Sequence, residues 1–146
     1  SVSWVRRCVE ETGRTPVARW TSRISFLKRV PAGETVGYGR TWTAPRDTWI
    51  ATVPVGYGDG YSRLFSNRGR MLAGGRSCPI AGRVCMDQTM IDLGPGDPKV
   101  AVGDEVVLLG RQGGEQITVE ELAGLMGTIT YELMCLITAR VPRIYA

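Results

Sequence analysis

The stretch VGYGRTWTAPRDTWIATVPVGYGDGY (residues 36–61) sets a tyrosine in a glycine-framed turn at each end of an apolar run. Tyr38 and Tyr57 each lie between two glycines, which permit a positive φ or a close approach to another group. Either turn taken singly favours a plainer interpretation, a hairpin with a half-buried tyrosine. The apolar run itself, residues 49–55, predicts a strand that Pro54 places at an edge or a bulge.

Short apolar runs between glycine- and proline-rich turns make up most of the remaining chain, a pattern typical of all-β domains. Further strands are predicted over residues 18–30, 71–73, 79–86, 89–93 and 105–109. Helical spacing predicts a short helix within residues 1–13, another after a capping box at Thr118, and a last turn of helix over 130–136. We therefore expect a mainly β fold, a small closed Greek-key-like β-barrel with one or two short helices.

The composition is that of an ordinary globular domain, with 43% hydrophobic and 22% charged residues among 146. No apolar run reaches the length needed to cross a bilayer, so no membrane segment is predicted in this chain. The net charge of +4 comes mostly from arginines scattered along the sequence. A protein that binds nucleic acid would concentrate them on one face. We therefore expect no nucleic-acid partner, whereas a small acidic ligand is compatible with the arginines.

The sequence contains four cysteines and no histidine. The cysteines form no C-x-x-C pair, so neither a metal site nor a dense disulfide framework is predicted. Reduced thiols fit a cytoplasmic location. Without histidine, acid–base chemistry near neutral pH depends on tyrosine, carboxylate, cysteine or lysine. This draws attention to the two glycine-framed tyrosines.

A second unusual segment, GRVCMDQ (residues 82–88), has apolar alternation in its centre and polar residues at both ends. Met86 and Asp87 stand together at the predicted end of a strand. In the plainer interpretation Met86 fills the core and Asp87 makes a turn. In the functional one, the strand end presents a backbone N–H and an acidic group to a ligand. Spacing alone does not decide between them.

Three blocks together carry a family resemblance: the opening stretch, PIAGRVCMDQTMIDL (residues 79–93) and TITYELMCLITARVPRIY (residues 128–145). In this order they resemble the C-terminal domain of pyridoxal-phosphate-dependent alanine racemase, with GRVCMDQ the most specific block. The resemblance extends over roughly residues 22–145. It implies that residues 21–146 form the C-terminal β domain and that residues 1–20 are an N-terminal helix or linker remnant. It also implies that the family's N-terminal (β/α)₈ barrel is absent from this sequence.

The resemblance implies specific roles for seven residues. Tyr38 matches one of the two catalytic bases, and it would act in the active site of the partner subunit. Tyr57 and Met86 match residues that line the substrate pocket, and Tyr131 matches the tyrosine that binds the cofactor phosphate. The corridor through which substrate enters would be lined by Arg63, Arg83 and Ile129.

A homodimeric isomerase is implied, which interconverts L- and D-alanine on a pyridoxal 5′-phosphate aldimine and supplies D-alanine for peptidoglycan precursors. The barrel carries the cofactor lysine in that family. Lys28 and Lys99 are the only lysines here, and neither lies in such a motif. We therefore expect the isolated chain neither to form the internal aldimine nor to racemise alanine.

Two alternatives stay open at this level. One is a related racemase that prefers serine or accepts several amino acids, with or without an upstream membrane segment, because the barrel residues that decide preference are not in this sequence. The other is a free-standing β-barrel binding module in which the tyrosine turns serve packing alone. The second alternative predicts that Tyr38→Phe costs little activity.

Overall fold

The fold is known from a computed structural model that describes the backbone of residues 3–5 and all of residues 18–145. The strands of these residues are β1 Ser3–Val5, β2 Arg19–Arg23, β3 Phe26–Val30, β4 Thr35–Val36, β5 Trp42–Thr43, β6 Thr48–Val53, β7 Arg70–Ala73, β8 Arg76–Pro79, β9 Thr89–Gly94, β10 Glu105–Gln112, β11 Glu115–Ile117 and β12 Arg143–Ile144. The helices are α1 Val119–Met126 and α2 Thr130–Leu136. Single turns of 3₁₀ helix form at Tyr38–Arg40, Tyr57–Asp59 and Arg63–Phe65.

The strands make three sheets. The largest has seven strands in the order β12-β1-β2-β10-β7-β8, with β11 added to β10. A second sheet has the order β3-β6-β9, and β4 pairs with β5 in a small hairpin. All described pairings are antiparallel except that of β1 with β12.

A single apolar core holds the two larger sheets and both helices together. Its aromatic centre is Trp20, Tyr61 and Phe65, with Tyr61 edge-on to Trp20 at a centroid distance of 5.8 Å and tilted against Phe65 at 4.7 Å. A smaller cluster of Val30, Ala44, Ile50 and Ala81 lies beneath the β4–β5 hairpin. Edge-to-face aromatic pairs add stabilisation beyond the area that they bury.

The mainly β fold with two short helices is confirmed. Helix α1 begins where its capping signal predicts, since the Thr118 hydroxyl accepts a hydrogen bond of 3.1 Å from the Glu121 N–H. It ends at Gly127, whose φ of 71° is the left-handed conformation that closes helices. Helix α2 has the predicted bounds.

The closed barrel was not the right description of the sheets, because the described strands leave the seven-stranded sheet with open edges at β12, β8 and β11. Beyond β8 the chain makes one bridge between Ile80 and Ile91 instead of a continuous ladder to the next sheet. The predicted strand over residues 18–30 is likewise divided in two. Between the two strands the chain passes from one sheet to the other, since the Ile24 N–H donates to Asp104, just before β10, and the Ser25 N–H donates to Thr52 of β6.

Two further sequence predictions were wrong. The strand expected over residues 79–86 ends at Pro79. Beyond it the Ala81 N–H still donates to Met90 of β9. From Gly82, which takes a φ of 87°, the backbone N–H groups of residues 82 and 84 donate to loop side chains instead of to a strand. The helix expected within residues 1–13 is contradicted at Ser3–Val5, which pairs as a strand with β2 and β12. The rest of that prediction, residues 1–2 and 6–13, lies outside the described residues.

Neither described helix has the length or apolar character needed to span a bilayer.

Candidate functional site

Segment 82–88 is the centre of the candidate site, because both glycine-framed tyrosine turns lie against it. The Tyr57 turn is joined to it by backbone hydrogen bonds. The N–H of Tyr57 donates to the carbonyl of Cys85 at 3.0 Å, and the N–H of Gly58 donates to that of Met86 at 2.9 Å. The two sequence blocks GYGDG and CMDQ are therefore one structural unit.

Glycine is required at position 56 by this close approach. A Cβ built on Gly56 would lie 2.1 Å from the carbonyl oxygen of Cys85 and 2.4 Å from that of Met86. Its φ of −158° is extended backbone that any residue adopts. The requirement is therefore one of space, because a side chain would push the turn off segment 82–88.

Asp59 organises the Tyr57 turn from inside. Asp59 is 5% exposed, and its carboxylate accepts a hydrogen bond of 3.0 Å from the N–H of Gly56. Two residues on, the Tyr61 ring enters the aromatic centre of the core. The turn is thus held by segment 82–88 on one side and by the core on the other.

The Tyr38 turn lies against the other end of segment 82–88 and is held differently. Gly37 has φ 80° and ψ 175°, a region that is almost restricted to glycine. A Cβ on Gly37 would lie 3.5 Å from the N atom of Arg83, which is ordinary van der Waals contact. Within the part of the chain that the structure describes, no hydrogen bond joins residues 37–40 to this segment.

The loop after the 3₁₀ turn Arg63–Phe65 fixes segment 82–88 from behind. The Ser66 hydroxyl accepts from the N–H of Val84 at 2.9 Å. Asn67 accepts from the N–H of Gly82 at 2.8 Å through its side-chain oxygen and donates to the Thr41 hydroxyl at 3.1 Å. Asn67 therefore links the segment to Thr41, the residue that closes the 3₁₀ turn at Tyr38.

An open cavity of about 710 Å³ lies between the two turns and segment 82–88. Its lining consists of Tyr38, Tyr57, Arg63, Arg83, Val84, Cys85, Met86, Asp87 and Gln88.

The cavity presents phenols and guanidinium groups to a ligand. Tyr38 is 72% exposed, Met86 52% and Tyr57 44%. Neither Arg63 nor Arg83 pairs with a carboxylate of the described residues, so both remain available to an anion. Burial raises the pKa of the Cys85 thiol against a smaller opposing effect of Arg63, so this lining thiol is neutral near pH 7. The chemistry that the lining can offer is anion binding and proton transfer by a phenol.

The structure brings together five of the residues to which the sequence analysis assigns roles, namely Tyr38, Tyr57, Met86, Arg63 and Arg83. Tyr131 and Ile129 do not line the cavity. They lie at the start of α2, where Tyr131 is 68% and Ile129 65% exposed. Helix α2 leads back to the site, because Thr138 beyond its end donates from its hydroxyl to the carbonyl of Gly58 at 2.9 Å.

Residues that support the cavity wall were missed by the sequence analysis. Asn67 and Ser66 lie in a segment that predicts only a turn, and Arg140 is one of many arginines. Asp59 had a usable signal, since an acidic residue three positions after a turn glycine matches a helix-capping pattern. The hydrogen bonds of Asn67 join it to residues 26 positions before and 15 after it, and no local pattern encodes such separations.

The site and fold together define a class of domain, a mainly β unit whose two tyrosine turns border an arginine-lined cavity open on one side. The chain belongs to the family "Alanine racemase, C-terminal domain", whose sequence model matches residues 17–145.

Curated relatives and solved structures agree with this membership. The chain is 56% identical over 128 residues to "Alanine racemase" of Cutibacterium acnes, and 54% identical over 130 residues to "Alanine racemase" of Symbiobacterium thermophilum. These matches cover 88% and 89% of this chain but 34% of each relative, so the chain spans about a third of their length.

Among solved structures, alanine racemase from E. faecalis superposes with a TM-score of 0.84 at 43% identity, over 90% of this chain and 34% of that one. Alanine racemase from Bacillus anthracis with bound L-Ala-P gives 0.84 at 40% identity, over 90% and 33%.

Proposed function

We propose that this chain is the C-terminal domain of an enzyme that interconverts L- and D-alanine, with Tyr38 as one of two opposed bases. The observation that carries the proposal is the single cavity shared by Tyr38, Tyr57 and Met86 with Arg63 and Arg83. A binding module that used its tyrosine turns for packing would bury their phenols. Here Tyr38 is 72% exposed at the mouth of the cavity.

Racemisation requires that a proton leave one face of the substrate Cα and that another be added to the opposite face. Because one group does not serve both faces efficiently, two bases should flank the carbon. Tyr38 would hold or move the proton of one face at its phenolic oxygen. The base for the other face would be a lysine outside this domain, since neither Lys28 nor Lys99 lines the cavity among the described residues.

Pyridoxal 5′-phosphate is the cofactor that the family implies, and the residues present fit part of it. Phosphate requires hydrogen-bond donors or cations, and the exposed phenol of Tyr131 can donate one hydrogen bond. When bound, the cofactor withdraws electrons from the substrate Cα and so makes its proton acidic. This domain contributes Tyr131 toward the phosphate, while the cofactor would be held mainly by an N-terminal (β/α)₈ barrel.

The other lining residues would select and admit a small amino acid. Tyr57 and Met86 form one wall and restrict the size of the substrate side chain. Arg63 and Arg83 would attract the substrate carboxylate along the corridor. Ile129, at the start of α2, would give the corridor an apolar side. The exposed position of Tyr38 suits action in a second subunit. A two-fold dimer, in which each C-terminal domain completes the partner's site, is therefore the assembly that we propose.

The test is a racemisation assay on the full-length protein loaded with pyridoxal phosphate, with the 146-residue chain as control. We expect optical rotation to be lost from both L- and D-alanine, while the isolated chain has no activity. Serine is assayed in parallel. A higher rate of racemisation on serine than on alanine would show that serine is the preferred substrate. Failure of the loaded protein to racemise any small amino acid would overturn the proposal.

A further inference from the structure

Arg140 lies directly behind the wall that Tyr57 and Met86 form. It follows α2 in the segment that Thr138 attaches to the Tyr57 turn, through a hydrogen bond from its N–H to the Asp59 carbonyl at 3.0 Å. The guanidinium of Arg140 covers Gly58 so closely that a Cβ on this glycine would lie 2.1 Å from its Nη1 atom. A side chain at position 58 would displace the guanidinium, so glycine at this position allows Arg140 to reach across the turn.

Two carboxylates from different sequence blocks meet at this guanidinium. The Nε atom of Arg140 lies 3.5 Å from Oδ1 of Asp59, whose other oxygen accepts from Gly56. Nη2 donates to Oδ1 of Asp87 at 2.5 Å. Asp59 belongs to the Tyr57 turn and Asp87 follows Met86, so one side chain connects the two parts of the wall.

The burial of Asp59 makes this connection specific. The Asp59 side chain is 8% exposed. A carboxylate buried to this degree must be compensated by hydrogen bonds or a counter-ion, and Arg140 is its cation among the described residues. Asp87 is a surface group, so solvent screens its ion pair with Arg140. The pair therefore fixes the position of the guanidinium and contributes little to the free energy of unfolding. A planar guanidinium with several donors suits this bridge better than an ammonium.

We propose that Arg140 is a positioning residue that holds the Tyr57 turn and Met86 in register as one wall of the cavity. The hydrogen bonds it protects are those from Tyr57 N–H to Cys85 and from Gly58 N–H to Met86. That this wall faces the substrate rests on the function proposed above. The mechanical part of the proposal does not.

The mechanical part is tested by amide hydrogen exchange in the 146-residue chain. In Arg140→Met, exchange at Tyr57 and Gly58 should be roughly ten-fold faster, while core amides such as that of Leu108 keep their native rates. The matched control is Arg29→Met. Arg29 lies in β3, and this change removes its exposed ion pair with Asp47. It should leave the exchange of Tyr57 and Gly58 unchanged.

A double-mutant cycle separates the bridge from general destabilisation. Asp87→Asn should accelerate the same two amides. Adding it to Arg140→Met should produce no further acceleration, because Arg140→Met has already removed the pair that Asp87→Asn breaks. Arg140→Lys should restore part of the protection. If Arg140→Met fails to fold, Asp87→Asn and Arg140→Lys still report on the link. Native exchange at both amides in these variants would overturn the proposal.

The catalytic part is tested in the full-length enzyme. Arg140→Met should raise KM for alanine roughly five- to ten-fold with kcat changed by less than about two-fold, because a displaced wall weakens ground-state and transition-state binding alike. A fall in kcat at constant KM would overturn the assignment. If the enzyme does not act on amino acids but the two amides still exchange faster, the proposed function fails and Arg140 remains a positioning residue.

Discussion

The two glycine-framed tyrosine turns are nearly identical in sequence, but different interactions hold them in place. The Tyr57 turn needs glycine because its backbone touches that of segment 82–88, to which it is hydrogen bonded. The Tyr38 turn needs glycine because Gly37 occupies a conformation that other residues avoid. Among the described residues no hydrogen bond joins residues 37–40 to the same segment.

The supports beneath the two turns differ as well. Tyr61 anchors the Tyr57 turn in the aromatic centre of the main core. The Tyr38 turn rests on the small cluster beneath β4 and β5 and leaves its phenol more exposed. A fixed wall suits substrate selection, whereas a projecting phenol suits a base that acts outside its own domain. A repeated sequence motif therefore does not establish a repeated role.

Of the substitutions that test the difference between the two turns, Gly56→Ala should cause the largest loss of stability. The added Cβ overlaps two carbonyl oxygens of the backbone, so the turn must leave segment 82–88. We expect a loss of about 3 kcal/mol or more in the free energy of unfolding, measured by urea denaturation. Gly124→Ala is the control, because its Cβ meets nothing within 4 Å and it lies inside α1. A loss below about 1 kcal/mol for Gly56→Ala would show that the turn can relax.

Asp59→Asn tests the inner support of the same turn. The substitution keeps the shape but removes the negative charge that faces the Gly56 N–H and Arg140. We expect a loss of about 2 kcal/mol in the free energy of unfolding, because both partners lose a charge-assisted contact. Asp47→Asn is the matched control, since Asp47 also accepts from a backbone N–H but is exposed. Equal losses in the two variants would mean that the burial of Asp59 contributes nothing.

Gly37→Ala should cost less than Gly56→Ala. Space for a Cβ exists, so the penalty is the strained backbone conformation, about 1 to 2 kcal/mol. Urea denaturation measures it, with Gly114→Ala as a control at a position that has open space and no positive φ. A loss as large as that of Gly56→Ala would break the distinction between the two turns.

Tyr61→Phe should have the smallest effect and the opposite sign. Burial raises the pKa of the Tyr61 phenol, so its hydroxyl stays protonated, and it has no hydrogen-bond partner among the described residues. Removing it should leave stability unchanged or raise it by up to about 1 kcal/mol. Tyr38→Phe is the exposed counterpart and should not change the unfolding midpoint. A clear loss in the free energy of unfolding for Tyr61→Phe, measured by urea denaturation, would show that the buried hydroxyl has a hydrogen-bond partner.

Local signals accounted for much of the fold. The apolar runs of β6, β9 and β10 and the capping threonine of α1 are visible without tertiary information, and each element formed where it was expected. The strand predicted beyond Pro79 failed because its backbone bonds go to Ser66, Asn67 and the Tyr57 turn instead of a ladder. Apolar alternation cannot distinguish these two cases.

The candidate site was predictable where the family resemblance supplied positions, and less so where tertiary contacts decide. Tyr38, Tyr57 and Met86, to which the resemblance assigns roles, line one cavity, and those roles stay predictions. Arg140 was not singled out, because it meets Asp59 and Asp87 only after the chain has folded over more than fifty residues. The sequence alone does not show whether the glycines on either side of Tyr57 are needed for a positive φ or for the close approach of another backbone segment.

The measurement that most directly tests Tyr38 as one of two bases is solvent deuterium exchange at Cα in full-length Tyr38→Phe, followed from each enantiomer of alanine. We predict that racemisation falls by roughly 10³-fold, while exchange with retained configuration persists for one enantiomer and stops for the other. This asymmetry arises because only the base on one face is removed. Racemisation near the native rate, or equal exchange from both enantiomers, would contradict the account.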